Sequence, residues 1–181
     1  GGVGLAGRYV AVKDGSNQGA YSEDGETWVT STLPSNTAWR AVAAGYFNDG
    51  STVANTSRFV AIASGGTTNA YSEDGISWSA GGALPASATW NDIAFGDDKF
   101  VAIAINSTTV AVSGDGQVWD QQGTLPSTGY TRIAYGQGIF VAIKPSSQEM
   151  AWSDDGVTWT QVATGLPASS AWSDIAYGKN T

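Results

Sequence analysis

Apolar and polar positions alternate along this chain in a pattern that returns about every 40 residues, the period of a repeat architecture. Each round opens on a short apolar run: Tyr9-Val10-Ala11-Val12, Phe59-Val60-Ala61-Ile62, Phe100-Val101-Ala102-Ile103 and Phe140-Val141-Ala142-Ile143. Aromatic and β-branched residues with small Ala between them suit a strand packed on both faces. A polar connection follows, and then Ala20-Tyr21, Ala70-Tyr71, Ala111-Val112 or Ala151-Trp152 leads into a polar turn. That turn reads Ser-x-Asp-Gly-x-x-Trp in all four rounds, and its Asp always lies 15 residues after the opening aromatic. An Asp-Gly pair between strand-like runs predicts a tight hairpin, because Gly supplies positive φ and Asp folds its carboxylate onto nearby N–H groups. After the turn a third strand runs to a Leu-Pro pair, at Leu33-Pro34, Leu84-Pro85, Leu125-Pro126 and Leu166-Pro167. Proline removes a ladder donor and so marks the loop before the next element. That fourth element begins on Trp39, Trp90, Tyr130 or Trp172 and ends six residues later on Gly45, Gly96, Gly136 or Gly178. Four short strands per period predict an all-β fold, a β-propeller of four blades with four antiparallel strands each.

The two ends of the chain suggest how the blades meet. Three residues separate Gly96 from Phe100 and Gly136 from Phe140, and the three after Gly178 complete the sequence. The next expected strand is then Tyr9–Val12, so the sequence predicts a ring closed by pairing its first and last strands, which removes open sheet edges. Two other closures fit the same pattern: a piece of a larger ring, or one ring shared by two chains. Residues 1–7 read as a small, apolar lead-in, and residues 8–181 as one domain with repeats at about 8–57, 58–98, 99–138 and 139–181. The first junction carries an insertion, Tyr46 to Arg58, with a turn signal at Asn48-Asp49-Gly50. Insertions in repeat scaffolds map to surface loops, frequently on a binding face.

Composition narrows the chemistry. Eight basic residues face sixteen acidic ones, a net charge of −8 that argues against nucleic acid and anionic membranes as partners. No apolar run approaches the ~20 residues of a membrane-spanning helix, so insertion into a membrane is not expected. With no Cys and no His, disulfides, thiolate nucleophiles, imidazole metal ligands and Ser-His-Asp triads are absent.

The Ser-x-Asp-Gly-x-x-Trp turns, with Phe-Val-Ala-Ile and the aromatic-x-x-[Ile/Val]-Ala-[Tyr/Phe]-Gly strand, resemble the repeats of phage tail and fibre proteins and bacterial surface propellers. They are also similar to the Asp-box of bacterial neuraminidases, with one residue fewer between Asp and Gly. The resemblance runs from Arg8 to Thr181 and implies the propeller architecture; such propellers host sialidases, lectins and structural modules alike. In the Asp-box family the motif lies at blade turns away from the active site. The resemblance therefore implies a structural role for Ser22, Asp24, Gly25, Trp28, Ser72, Asp74, Gly75, Trp78, Ser113, Asp115, Gly116, Trp119, Ser153, Asp155, Gly156 and Trp159.

A sialidase needs an arginine cluster, and only Arg40 and Arg132 of the four arginines fall in the axial strand. The expectation is that the chain is not an enzyme. On the same strand Asp92, Arg132 and Asp174 occupy equivalent positions, with Ala41 in the fourth. An arginine flanked by two carboxylates suits a bridge between blades lining the channel. Calcium or another hard cation could use those carboxylates, but a guanidinium at the same level argues against it; no cofactor is expected. Seven of the eight tryptophans keep the repeat spacing and read as blade packing; Trp152 does not. Trp152, with Tyr46, Asn48 and Asp49 of the insertion and Asn69 and Asn106 of the polar connections, forms the candidate ligand-binding set. The function expected is a recognition module for a glycan or cell-surface receptor, in a phage tail or fibre or an extracellular protein, outside the cell or on a virion. The alternative is a structural module binding other subunits of an assembly.

Overall fold

The computed structural model describes residues 7–47, 56–168 and 171–179. Among them there are four antiparallel sheets and no helix. The first sheet holds β1 (Tyr9–Val12), β2 (Ser16–Ser22) and β3 (Val29–Thr37). The second holds β4 (Trp39–Phe47), β5 (Thr56–Ala63), β6 (Asn69–Ser72) and β7 (Ser79–Ala80). The third holds β8 (Trp90–Gly96), β9 (Lys99–Ala104), β10 (Thr109–Ser113) and β11 (Gln121–Thr124). The fourth holds β12 (Arg132–Gly136), β13 (Ile139–Ile143), β14 (Met150–Ser153) and β15 (Thr160–Val162). Each four-stranded sheet meanders, so neighbours in sequence are neighbours in the sheet, as short hairpin connections require. The sheet begins with the aromatic-to-Gly strand of one sequence round and finishes with three strands of the next.

The register shows why the apolar runs look as they do. Phe100 pairs with Phe95 and Ser113, and Val101 with Ala94 and Val112. Alternate residues of β9 therefore face opposite neighbours. Phe100 turns back toward the second sheet, where its ring would collide with any Cβ added at Gly45. Val101 turns forward, its Cγ2 only 2.7 Å from where a Cβ of Gly156 would stand. The same valine-over-glycine contact joins Val10 to Gly75 and Val60 to Gly116. Aromatics at the end of the first strand use glycine in the other direction: Phe95 covers Gly45, and Tyr135 covers Gly96. Glycine is required at these places because two sheets approach there to van der Waals contact. Behind these contacts lie the cores, with Val60, Ile62, Trp90 and Phe100 between the second and third sheets. Val101, Ile103, Tyr130 and Phe140 play that part between the third and fourth.

The expected ladder between the first and last strands does not occur among the described residues. β1 pairs with β2 alone, leaving the first sheet three-stranded. Residues 171–179 run on without a ladder, and Tyr177 covers Gly136 just as Tyr135 covers Gly96. The last stretch thus stands where the leading strand of a further sheet would stand, on the far side of the fourth sheet from β1.

Candidate functional site

The Ser-x-Asp-Gly-x-x-Trp turns have one geometry in all four rounds. Asp24 Oδ1 accepts from the Glu26 and Thr27 backbone N–H groups at 2.8 and 2.7 Å and from Ser22 Oγ at 2.9 Å. Ser22 Oγ in turn accepts from the Gly25 N–H at 2.8 Å, and Gly25 sits at φ +79°. The bonds recur at Ser72 and Asp74, at Ser113 and Asp115, and at Ser153 and Asp155. The Thr27 and Glu26 backbone N–H groups, aided by Ser22, hold the Asp24 carboxyl down to about 2. At Asp74, Asp115 and Asp155 partial burial pushes upward, but the same N–H donors outweigh it and the carboxyls stay below their usual range. In each turn the Ser hydroxyl and the Asp carboxylate are thus engaged by the turn's own groups. Trp28 and Trp159 donate their indole N–H to the turn glycine carbonyl at 3.2 and 3.1 Å.

Two arginines tie neighbouring sheets together below these turns. Arg8 donates to the Asp74 carbonyl at 2.7 Å, pairs with Glu23 at 2.9 Å and lies over the Tyr21 ring. Arg58, buried, donates to the Asp115 carbonyl, pairs with Glu73 at 3.1 Å and lies over Tyr71. Neither motif nor composition pointed to this pair; the signal was a basic residue just before the aromatic of the first and second rounds.

Along the leading strands the polar groups bond from sheet to sheet. Arg40 Nε donates to Asn91 Oδ1 at 3.1 Å, and Asn91 Nδ2 to the Thr131 carbonyl at 2.6 Å. Asp92 accepts from the Ile93 N–H at 3.0 Å and from the Ile133 N–H of the next sheet at 2.9 Å. Burial raises the Asp92 carboxyl above its ordinary value, against the pull of those N–H groups and of Arg132. Arg132 lies 3.7 Å from Asp174, which repeats the local bond by accepting from the Ile175 N–H at 2.9 Å. Among the described residues no three acidic side chains converge as a cation site would require.

A cluster not visible in the sequence occupies the opposite rim of the fourth sheet. Glu149 Oε1 accepts from Ser127 Oγ at 2.5 Å and from Tyr130 Oη at 2.7 Å, and pairs with Lys144 Nζ at 2.7 Å. Burial works against the Glu149 charge, but Lys144, Ser127 and Tyr130 bring its carboxyl down to about 2, while burial and that carboxylate push the Tyr130 phenol up. Where Trp39, Trp90 and Trp172 donate to a backbone carbonyl four residues earlier, Tyr130 reaches a side chain instead. The available signal was Tyr in a tryptophan column beside an unmatched Glu.

The candidate ligand residues do not form one site. Tyr46 is the last residue but one of β4, on the turn rim, and is 57 % exposed. Asn106 lies exposed on the other rim, while Asn69 is buried and donates to the Gly82 carbonyl. Trp152 sits inside β14, half-buried and paired with Val141 and Thr160. Asn48 and Asp49 lie outside the described residues. Tyr46 does share a cleft of about 340 Å³ with Arg8, Ser57, Phe59, Glu73 and Asp74.

Known structures share this architecture. Virginiamycin B lyase from Staphylococcus aureus superposes with a TM-score of 0.69 at 11 % identity, over 86 % of this chain and 52 % of the lyase. A nidogen/laminin complex superposes with a TM-score of 0.56 at 10 % identity, over 86 % of this chain and 61 % of the matched one. The computationally designed Ika4 protein matches with a TM-score of 0.53 at 18 % identity, over 82 % and 86 % of the two chains. This chain therefore spans about half the length of the lyases it matches. The lyases correct the expectation that the chain is not an enzyme: the same architecture carries catalysis, so lacking a familiar triad does not place the chain outside enzymes. No curated protein matches the sequence. Residues 40–181 match the model of the DUF6242 beta propeller domain, and the chain belongs to that family.

Proposed function

We propose that this propeller is a recognition module that takes a hydroxyl-rich ligand, a glycan or similar cell-surface group, on the rim that carries the Asp-Gly turns. The observation that carries the reading is the cleft under Tyr46. An exposed aromatic face there stands beside the hydroxyl of Ser57, the carboxylate of Glu73 and the guanidinium of Arg8. Apolar surface with a few convergent polar groups is the usual form of a small-ligand site, and a phenol ring offers both a flat face and a polar tip. The resemblance of the repeats to phage fibre and bacterial surface propellers supports an extracellular or virion setting. Screening the chain on a glycan array tests the reading, followed by titration of any hit. Tyr46→Ala should weaken binding at least tenfold, whereas Asn106→Ala on the other rim should leave it unchanged. An array without hits, or equal binding by Tyr46→Ala, overturns it.

A further inference from the structure

We infer that the ligand taken under Tyr46 carries positive charge and is a glycan built from amino sugars with free amines. The inference rests on the ligand reading above and names the class of glycan that the same cleft selects. Its basis is the distribution of charge over the molecule.

Eleven of the sixteen acidic residues stand on the rim of the Asp-Gly turns, from Glu23, Asp24 and Glu26 in the first turn to Asp154 and Asp155 in the fourth. The eleven include Asp97 and Asp98 of the β8–β9 hairpin, which reaches the same rim because Phe100 pairs with both Phe95 and Ser113. Against them stand Arg8, Arg58, Lys99 and Lys179. Elsewhere the charges cancel. On the opposite rim Lys13 and Lys144 balance Asp14 and Glu149, and along the leading strands and residues 171–179 Arg40 and Arg132 balance Asp92 and Asp174. One rim therefore carries the whole net charge of the described residues. Such a field gathers cations and repels anions over about a Debye length, ~8 Å at physiological salt.

The turns keep that charge in place. Asp24, Asp74 and Asp155 are exposed, and the turn bonds they accept end on Oδ1; among the described residues none ends on their Oδ2. These bonds hold the carboxyls below their usual range, so they stay charged in mildly acid solution, where amino sugars are protonated. In the cleft itself Tyr46 presents its ring beside Asp74 and beside Glu73, whose side chain is 65 % exposed. An aromatic face next to a carboxylate binds an ammonium group, by the ring quadrupole and by a charge-assisted hydrogen bond. Arg8 is the cation lining the cleft, and it is committed to Glu23 and to the Asp74 carbonyl. Ser57 offers a hydroxyl to the sugar ring. Uronates and other acidic sugars meet the same field as repulsion, which discriminates against them.

Short oligomers of glucosamine, N-acetylglucosamine and galacturonic acid, titrated against the chain by calorimetry in mildly acid buffer, test the inference. At low salt the free-amine oligomer should bind at least tenfold more tightly than its acetylated counterpart, and the uronate should not bind. Salt at about 0.5 M should close most of that gap, because the field of the rim is then screened within a few ångströms. Glu73→Gln, which keeps an acceptor for Arg58, should weaken the amine oligomer at least fivefold and leave the acetylated one unchanged. Asp98→Asn lies exposed on the same rim outside the cleft, at a positive φ that Asn also adopts. It should weaken the amine oligomer about twofold at low salt and leave it unchanged at high salt, as screening of a rim charge requires. Equal binding of the amine and acetylated oligomers, or binding of the uronate, overturns the inference and leaves the ligand reading standing. Oligolysine bound as tightly as the amine oligomer also overturns it, since the rim would then take any polycation. Binding of none of the three sugars, together with an empty glycan array, removes both.

Discussion

Tyr9 and Phe100 hold the same place in two sheets and end in opposite surroundings. Phe100 lies wholly inside, wedged between Gly45, Phe95 and its own turn glycine; Tyr9 stands in the open beside Gly25. Their strands are alike in composition and register, so the strand itself does not decide burial. What decides is whether another sheet lies on the side the aromatic faces. In a scaffold of stacked repeats, each unit finishes the core of its neighbour and cannot finish its own.

The widest gap between these two sheets should come from truncating the aromatic. Phe100→Ala is expected to cost about 3–5 kcal/mol, and Tyr9→Ala less than about 0.5 kcal/mol. Urea denaturation of both variants measures the difference, and equal costs would mean that the first sheet has a hidden cover. Next come the two arginine ties. Arg58→Met removes buried bonds to the Asp115 carbonyl and Glu73 and should cost about 2–3 kcal/mol. Arg8→Met acts on a more exposed pair and should cost about 0.5–1 kcal/mol. Glycines sharpen the same contrast. Gly156→Ala meets both positive φ and the Val101 methyl, for about 2 kcal/mol or more, whereas Gly15→Ala meets only the φ strain of about 1 kcal/mol. Thermal melts would rank them.

Acid should reach all four turns together. Asp24 and Glu149 are held near 2 and Asp74, Asp115 and Asp155 below their usual range, so the folded chain binds fewer protons there than the unfolded one. That stability is fully present above about pH 4–5, the ordinary carboxylate range, and is lost as pH falls toward 2. Asp92, raised by burial, works in the opposite sense. A melting temperature flat from pH 5 to 2 would contradict the turn geometry. Arg132→Ala should cost no more than Arg8→Met, because its pair with the exposed Asp174 is long: about 0.5–1 kcal/mol, a fall of a few degrees.

Much of this fold was legible because its devices are local. An Asp-Gly pair with Ser two residues before Asp satisfies the turn N–H groups from its own carboxylate and hydroxyl, so its shape is set within a few residues of chain. The apolar runs and the Leu-Pro breaks likewise fix strands and connections within one round. Closure was not legible in that way. The pattern says that Trp172–Gly178 is a leading strand, but not which first strand it meets. That depends on the angle between sheets, which is set by how Phe95, Tyr135 and Tyr177 wedge onto glycine, a matter of volumes across the interface. The ligand candidates failed to gather for a related reason: Tyr46 and Asn106 both lie at the ends of strands, yet successive strand ends alternate between the two rims. The Ser127, Tyr130, Lys144 and Glu149 cluster was hidden because its members come from two separate connections, β11–β12 and β13–β14, and only the fold brings them to one carboxylate.

One arrangement has a consequence for heredity. The unit written in the sequence starts on the second strand of a sheet, and the unit folded in space starts on the first, so the two are offset by one strand. A gene that gains or loses a whole written unit by unequal crossing-over therefore always splits a sheet at the junction and rejoins it with an equivalent strand. Such an edit leaves no foreign seam, which lets this architecture change its number of sheets one at a time.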